Sequence, residues 1–319
     1  MNEISDQTVS EIKLLSHIAK ANRTVLSIAD VVALTSTTLT ENALIEAWNL
    51  NRDLSDAYVL RHDLVVEKWT PLLESSPNNL THETQKKKRS EEYIRYANQF
   101  LNWCQGRHAR LLSVSGSTSY NSAMPGDDLD FFVVSPQNHL WIFLVKSLLL
   151  ARIYRMVHRK CPRICLSYVI DDSFASKAFG AQDPLLARDT LNVVVLYGNA
   201  AYASLLRRNN WMANYFPKLY RRRSGEAGPD LSVSQPQGIT AFTRCTNLFL
   251  YFPIRQYIRI KSRILNHKLR KRGQLSALFV VDCGPDHCIF ESARYASLRT
   301  AYHNLGKTFA SDNQIAKRQ

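Results

Sequence analysis

The chain has 319 residues, 45% of them hydrophobic and 10% aromatic, which supplies a real core for about two domains of ordinary size and excludes a disordered tail. Lys and Arg number 41 against 27 Asp and Glu, a formal charge of +14, so the surface attracts phosphates, nucleic acid or anionic lipid before any specific contact forms. No stretch reaches the roughly 18 uncharged apolar residues of a membrane span, and no apolar signal core follows a basic leader, so a soluble, cytoplasmic protein without integral membrane contact is expected.

Apolar residues at Ile12, Leu14, Leu15, Ile18 and Ala19 form a helical stripe over 9–22. Ser27 predicts the cap of a short helix over 27–32, a third helix follows over 41–50, and the alternation across 58–66 predicts a two-stranded wing. Residues 1–75 thus read as a winged-helix-like module. It faces DNA or serves as a packing cap, because its helices lack a dense Arg/Lys face. The polar, basic segment 75–88, SSPNNLTHETQKKK, is a linker or an exposed helix start. Tyr93, Ile94, Ala97, Phe100, Leu101 and Trp103 then predict an amphipathic helix over 91–107.

Strands are expected over 109–115, 128–134 and 164–171, with a long apolar helix over 140–157 between the last two. Helix, strand, turn, strand, helix, strand describes an α+β core with a mixed sheet, set within residues 90–200. From 201 to 319 the chain reads as a helical C-terminal region. A short apolar piece at 192–198 leads into it, followed by helices over 201–208 and 211–220. A loop or linker rich in Gly, Pro, Ser and charge covers 221–238. Helices are then expected over 240–250, 254–271 and 291–306. The basic amphipathic helix over 254–271 lines an RNA groove, lies on a membrane, or packs its apolar stripe and solvates the rest.

Six cysteines are too few for a disulfide framework in a chain this long, so reduced thiols are expected. Neither Cys161 with Cys165 nor Cys283 with Cys288, beside His287, has the two-residue gap of a zinc knuckle. The first pair enters a strand, where a small buried thiol is expected.

The segment that carries chemistry is 113–134, SVSGSTSYNSAMPGDDLDFFVV. A hydrophobic strand ends in Gly116-Ser117. Gly116 lets the backbone turn tightly and a phosphate approach the main chain, while Ser117 offers a hydroxyl and amides to a triphosphate. Asp128 and Asp130 lie two apart on an extended segment, so their carboxylates share a side, with Cα atoms roughly 6 to 7 Å apart. Such a pair is costly without a cation and suits Mg²⁺ or Mn²⁺, which bridges carboxylates to nucleotide phosphates. Asp127 points the other way, solvated or capping a turn.

This segment resembles the signature of the DNA polymerase β nucleotidyltransferase superfamily: a hydrophobic residue, Gly, Gly or Ser, a gap of about a dozen, then Asp, hydrophobic, Asp. The wider chain is similar to a poorly characterised prokaryotic nucleotidyltransferase group with an N-terminal winged-helix-like segment. The corresponding residues are Val114 to Ser117, Asp128 to Phe131, Leu140-Trp141, Asn210-Trp211 and Tyr215-Phe216-Pro217. The resemblance implies a nucleotidyltransferase-fold core at 90–200. It also implies transfer of a nucleoside monophosphate from an NTP such as ATP to an acceptor, with release of pyrophosphate. Gly116 and Ser117 take the phosphate role, and Asp128 and Asp130 the metal role.

The superfamily usually carries a third carboxylate on the next core strand. Here Asp171 is the candidate for both metal binding and catalysis, unless Ser167 replaces it. The acceptor is RNA such as tRNA, toward which the charge leans, or a small molecule or a protein side chain. The alternative is a catalytically silent nucleic-acid-binding protein that uses the N-terminal module and basic patches.

Overall fold

A computed structural model describes residues 3–21, 25–35, 37–61, 63–68, 79–104, 108–227 and 241–293, together with Tyr295, Ala296 and Arg299. The N-terminal region holds α1 (Asp6–Ala21), β1 (Leu26–Ser27), α2 (Ile28–Leu34), α3 (Glu41–Leu50), α4 (Arg52–Ala57), β2 (Tyr58–Arg61) and β3 (Leu64–Glu67). The expected two-stranded wing is a three-stranded antiparallel sheet in the order β1-β3-β2. Ser27 starts α2 as expected. Its hydroxyl accepts from the Asp30 N–H at 3.0 Å while the Asp30 carboxylate accepts from the Ser27 N–H at 3.0 Å, a reciprocal cap that satisfies two otherwise orphaned donors.

Next come α5 (Asn79–Cys104), β4 (Leu111–Val114), the single turn α6 (Gly116–Ser119), β5 (Leu129–Ser135), α7 (Leu140–Val157), β6 (Ile164–Asp171), α8 (Asp172–Gly180) and α9 (Pro184–Asn192). They are followed by β7 (Val194–Tyr197), α10 (Asn199–Arg208), α11 (Pro217–Glu226), α12 (Ala241–Lys271), β8 (Phe279–Cys283) and β9 (His287–Ser292). The result is a mixed α+β architecture around a six-stranded sheet in the order β7-β4-β5-β6-β9-β8. Only β5 and β6 are parallel, and α7 supplies the crossover that parallel neighbours require.

The alternating pattern of β5 sorts its side chains between two cores. Phe131 and Val133 pack with Phe100, Trp141 and Leu144 under α5, α7 and α12. Phe132 and Val134 pack with Phe179, Leu185 and Leu206 under α8, α9 and α10, and that core continues into Ile28, Trp48 and the rest of the N-terminal helices. The sheet is therefore the middle of three layers. Lys218 of α11 fastens the N-terminal region, donating to the Val32 carbonyl at 2.7 Å and to the Thr37 carbonyl.

Several expected boundaries move. Residues 79–88 are the first turns of α5, the helix start of the two alternatives, and 221–226 belong to α11 rather than to a loop; 75–78 and 228–238 lie outside the described residues. The helices over 240–250 and 254–271 are one helix running through Pro253. The apolar piece at 192–198 contains edge strand β7. Glu291 and Ser292 close β9, while Ala293, Tyr295, Ala296 and Arg299 are helical, within the helix expected over 291–306; 300–306 lie outside the described residues. The C-terminal region is thus not only helical, since it contributes two strands to the central sheet.

Buried Asn247 holds that addition in place. Its side-chain oxygen accepts from the Trp141 N–H at 2.8 Å, and its amide donates to the Pro285 carbonyl at 3.4 Å. One residue of α12 thereby grips the start of α7 and the turn of the β8–β9 hairpin. Among the described residues no helix is long and apolar enough to cross a membrane.

Candidate active site

The bend after β4 brings the two halves of the motif together. The Ser115 N–H donates to the Asp130 carbonyl at 2.9 Å, and Gly116 then takes φ +63°, a left-handed conformation that glycine adopts without steric cost. A Cβ at position 116 would lie 2.6 Å from Oδ2 of Asp130. Glycine is required here for two reasons: the backbone conformation, and the room its bare Cα leaves for the carboxylate.

The connecting loop is held from several sides. The Ser122 N–H and hydroxyl donate to the Ser117 carbonyl at 2.9 and 3.0 Å. From α5, the Ser90 hydroxyl accepts from the Ala123 N–H and Arg89 donates to the Ala123 carbonyl, each at 3.2 Å. Asn192 donates to the Ser119 carbonyl at 2.9 Å. Asp127 accepts from the Met124 N–H at 3.0 Å, which is the turn-capping role expected for it.

Asp130 pairs in register with Cys165, and the next pair is Phe132 with Tyr168. β6 therefore carries one extra residue across this step, a bulge of the kind that re-aims side chains beside functional sites. Cys165 and Ser167 both lie close enough to the Asp130 carboxyl to lower its pKa, while the Ser167 hydroxyl donates to the Phe131 carbonyl at 3.4 Å. Burial and then the neighbouring Asp128 push the Asp130 pKa up to about 7, against the lowering effect of those two side chains. Burial, followed by Asp130, drives the Cys165 thiol well above its ordinary value.

Asp128 stands just before β5 and meets Arg163 at the start of β6. Arg163 Nε donates to Oδ1 at 2.9 Å and its Nη2 bonds Oδ2. The same junction is tied by the Leu129 N–H to the Arg163 carbonyl at 2.9 Å. The bond to Asp128 raises the Arg163 pKa above its ordinary value.

Asp171 does not join these residues, which corrects the expectation that it completes the metal site. It pairs with Ser135 at the opposite end of the parallel β5–β6 pair, six positions beyond Cys165, or about 20 Å at 3.3 Å per residue. There it is buried and caps α8, with Oδ1 accepting from the N–H groups of Ser173 and Phe174 at 3.0 Å each and from the Ser173 hydroxyl at 2.6 Å. The Asn138 N–H reaches its other oxygen at 3.4 Å. Ser167, the weighed replacement, lies beside Asp130 and with Cys165 lowers its pKa.

The donor set fits one hard divalent ion held by Asp128 and Asp130, whose mutual repulsion a cation would relieve. It does not fit a two-ion site bridged by three carboxylates. Among the described residues no group of three or more His, Cys, Asp or Glu is placed to hold a metal. Cys283 and Cys288 face each other across the β8–β9 hairpin with sulfurs 3.0 Å apart, and His287 turns to Asp286 at 2.7 Å and Asp282 at 3.2 Å. Arg163 and Cys165 are the site residues that sequence reasoning missed. The strand–helix–strand pattern itself contained the signal, because a parallel pair sets the start of β6 beside the start of β5. No family model, curated protein or solved structure matches the chain.

Proposed function

We propose that this chain is a metal-dependent nucleotidyltransferase of the nucleotidyltransferase fold, with a winged-helix-like N-terminal module, moving a nucleoside monophosphate from an NTP to an acceptor with release of pyrophosphate. The observation that carries the reading is the Asp130 carboxyl, packed against the bare Cα of Gly116, repelled by Asp128 and raised to about 7. The resemblance of 113–134 to the superfamily signature supports it. Asp128 and Asp130 would hold Mg²⁺ or Mn²⁺, which when bound neutralises charge on the transferring phosphoryl group. Gly116 leaves the main chain open beside them, and Ser117 offers its hydroxyl to the triphosphate. With Ser167 in place of a third acid, the acceptor must arrive with a group that ionises without a strong protein base.

The test is incubation of the pure protein with each α-labelled NTP, Mg²⁺ or Mn²⁺, and pools of RNA, protein and metabolites. Label transferred by the native chain and not by Asp130→Asn supports the reading. Absence of transfer with every pool overturns it.

A second reading, a catalytically silent nucleic-acid binder, is favoured by the absent third acid and by Arg163 occupying Asp128. It predicts salt-sensitive nucleic-acid binding that is unchanged in the Asp128→Ala, Asp130→Ala double variant.

A further inference from the structure

A cavity of about 680 Å³ lies between α7, α12 and the sheet, inside the range of small-molecule sites. Its walls are apolar, built by Leu144, Leu148 and Ala151 from α7, Ile258 and Leu265 from α12, and Phe290 from β9. Its exposed rim is cationic: Arg152, Arg155 and Lys261 line it, and none of the three is bridged to a carboxylate among the described residues. Arg152 donates instead to the Tyr257 hydroxyl at 2.9 Å, and the Lys261 ammonium lies 5.7 Å from the Tyr257 ring centre. The acid at the edge of this space is Asp128, already bonded to Arg163.

The surroundings carry the same two chemistries. α7 has three cations (Lys146, Arg152, Arg155) and α12 has eight, and neither helix contains an Asp or Glu. Leu149, Ile153, Met156 and Val157 of α7 are exposed, Met156 also lining the cavity, as are Ile260 and Ile264 on α12. Spacings of four, three and one along α7 make its four a single stripe. A nucleic-acid groove would offer a row of stacking faces with polar edges, whereas the wall of this space is mostly aliphatic, with the rings of Phe279, Phe290 and Tyr257 set among Leu and Ile side chains.

We propose that the cavity binds the hydrocarbon chain of an anionic amphiphile, a long-chain phosphate or carboxylate, with its head group held at the mouth by Arg152, Arg155 and Lys261. An apolar interior with uncompensated cations at its opening complements a molecule that is hydrocarbon at one end and negative at the other. The head group then lies beside Asp128. Only the further step, that the amphiphile is the acceptor, rests on the proposed transferase activity.

The experiment is calorimetric titration of the full chain with dodecyl phosphate below its micelle concentration, without nucleotide or divalent metal, so that failure of the transferase reading leaves this one standing. Saturable one-to-one binding is expected, at least 100-fold tighter than that of inorganic phosphate or dodecyltrimethylammonium. Arg155→Glu with Lys261→Glu, both at exposed positions, weakens it at least tenfold, and Leu148→Trp weakens it by filling the space. Sedimentation with phosphatidylglycerol vesicles distinguishes the sources. Vesicle binding lost in Leu149→Asp with Ile153→Asp, while the titration is unchanged, identifies a bilayer lipid. Titration without vesicle binding identifies a free amphiphile. The proposal is overturned if dodecyl phosphate does not saturate, if inorganic phosphate binds equally, if the charge-reversed variant binds as the native chain does, or if labelled RNA alone occupies the site.

Discussion

At the start of β5 and β6, Asp130 is packed against Gly116 with a second carboxylate two residues away, and its pKa rises to about 7. At the far end of the same two strands, Asp171 is more deeply buried, yet it accepts three N–H groups and a hydroxyl. Both are acids at strand termini. One is satisfied by the fold and builds it; the other is left by the fold in a state that an outside cation would improve. The contrast separates an aspartate that caps from one that waits for a ligand.

The largest expected effect breaks the contrast at the first end. Asp130→Asn removes a charge that metal binding needs, and nucleotidyl transfer measured with labelled NTP should fall at least 100-fold, with the fold retained. Asp171→Ala attacks the other end. It strands the first amides of α8 and should cost about 2–4 kcal/mol in denaturant unfolding, while the folded fraction keeps its transfer rate.

The pH dependence sharpens the comparison. Because the folded-state pKa of Asp130 lies above its unfolded value of about 4, the native state holds a proton that the unfolded chain has released. Its contribution to stability is therefore lost as pH rises from about 4 to about 7 and is flat above. Asp130→Asn should remove that loss, and at pH 8 without metal it should be the more stable protein by roughly 1–4 kcal/mol. Mn²⁺ affinity followed by calorimetry should rise through the same window and level off near pH 7 to 8, since the carboxylate binds only when deprotonated.

The smallest effect on stability belongs to Arg163→Ala. Its side chain is 58% exposed, so the ion pair contributes under about 1 kcal/mol. Freeing Asp128 should nevertheless tighten Mn²⁺ binding several-fold. An unchanged affinity would mean that Arg163 does not compete with the ion.

Much of this was legible in the residue pattern. Alternation and turn chemistry marked β4, β5, β6 and α7, and the Gly116-Ser117 bend and Asp128–Asp130 pair emerge on neighbouring strands. Two things were not legible. Face-sharing along β6 pointed to Asp171, because periodicity states which side of a strand a residue occupies and says nothing of which end meets which; that depends on the parallel pairing. The bulge between Asp130 and Phe132 is equally invisible, since it exists only between two strands.

Elsewhere, the two helices expected over 240–250 and 254–271 are one helix that runs through Pro253, anchored from within by Asn247. The segment VDCGPDHC drew attention as a cysteine pair when its flanking alternation was that of a hairpin.

The outer hairpin also has a consequence for biosynthesis. Tyr168 and Ile289 are partners in the ladder although 121 positions separate them. At roughly 5 to 20 residues per second, a ribosome takes about 6 to 24 seconds to cover that interval, and until then the central strands hold an unpaired, aggregation-competent border. Translation speed and chaperone occupancy over the intervening codons should therefore govern yield more strongly than the final thermodynamic stability does.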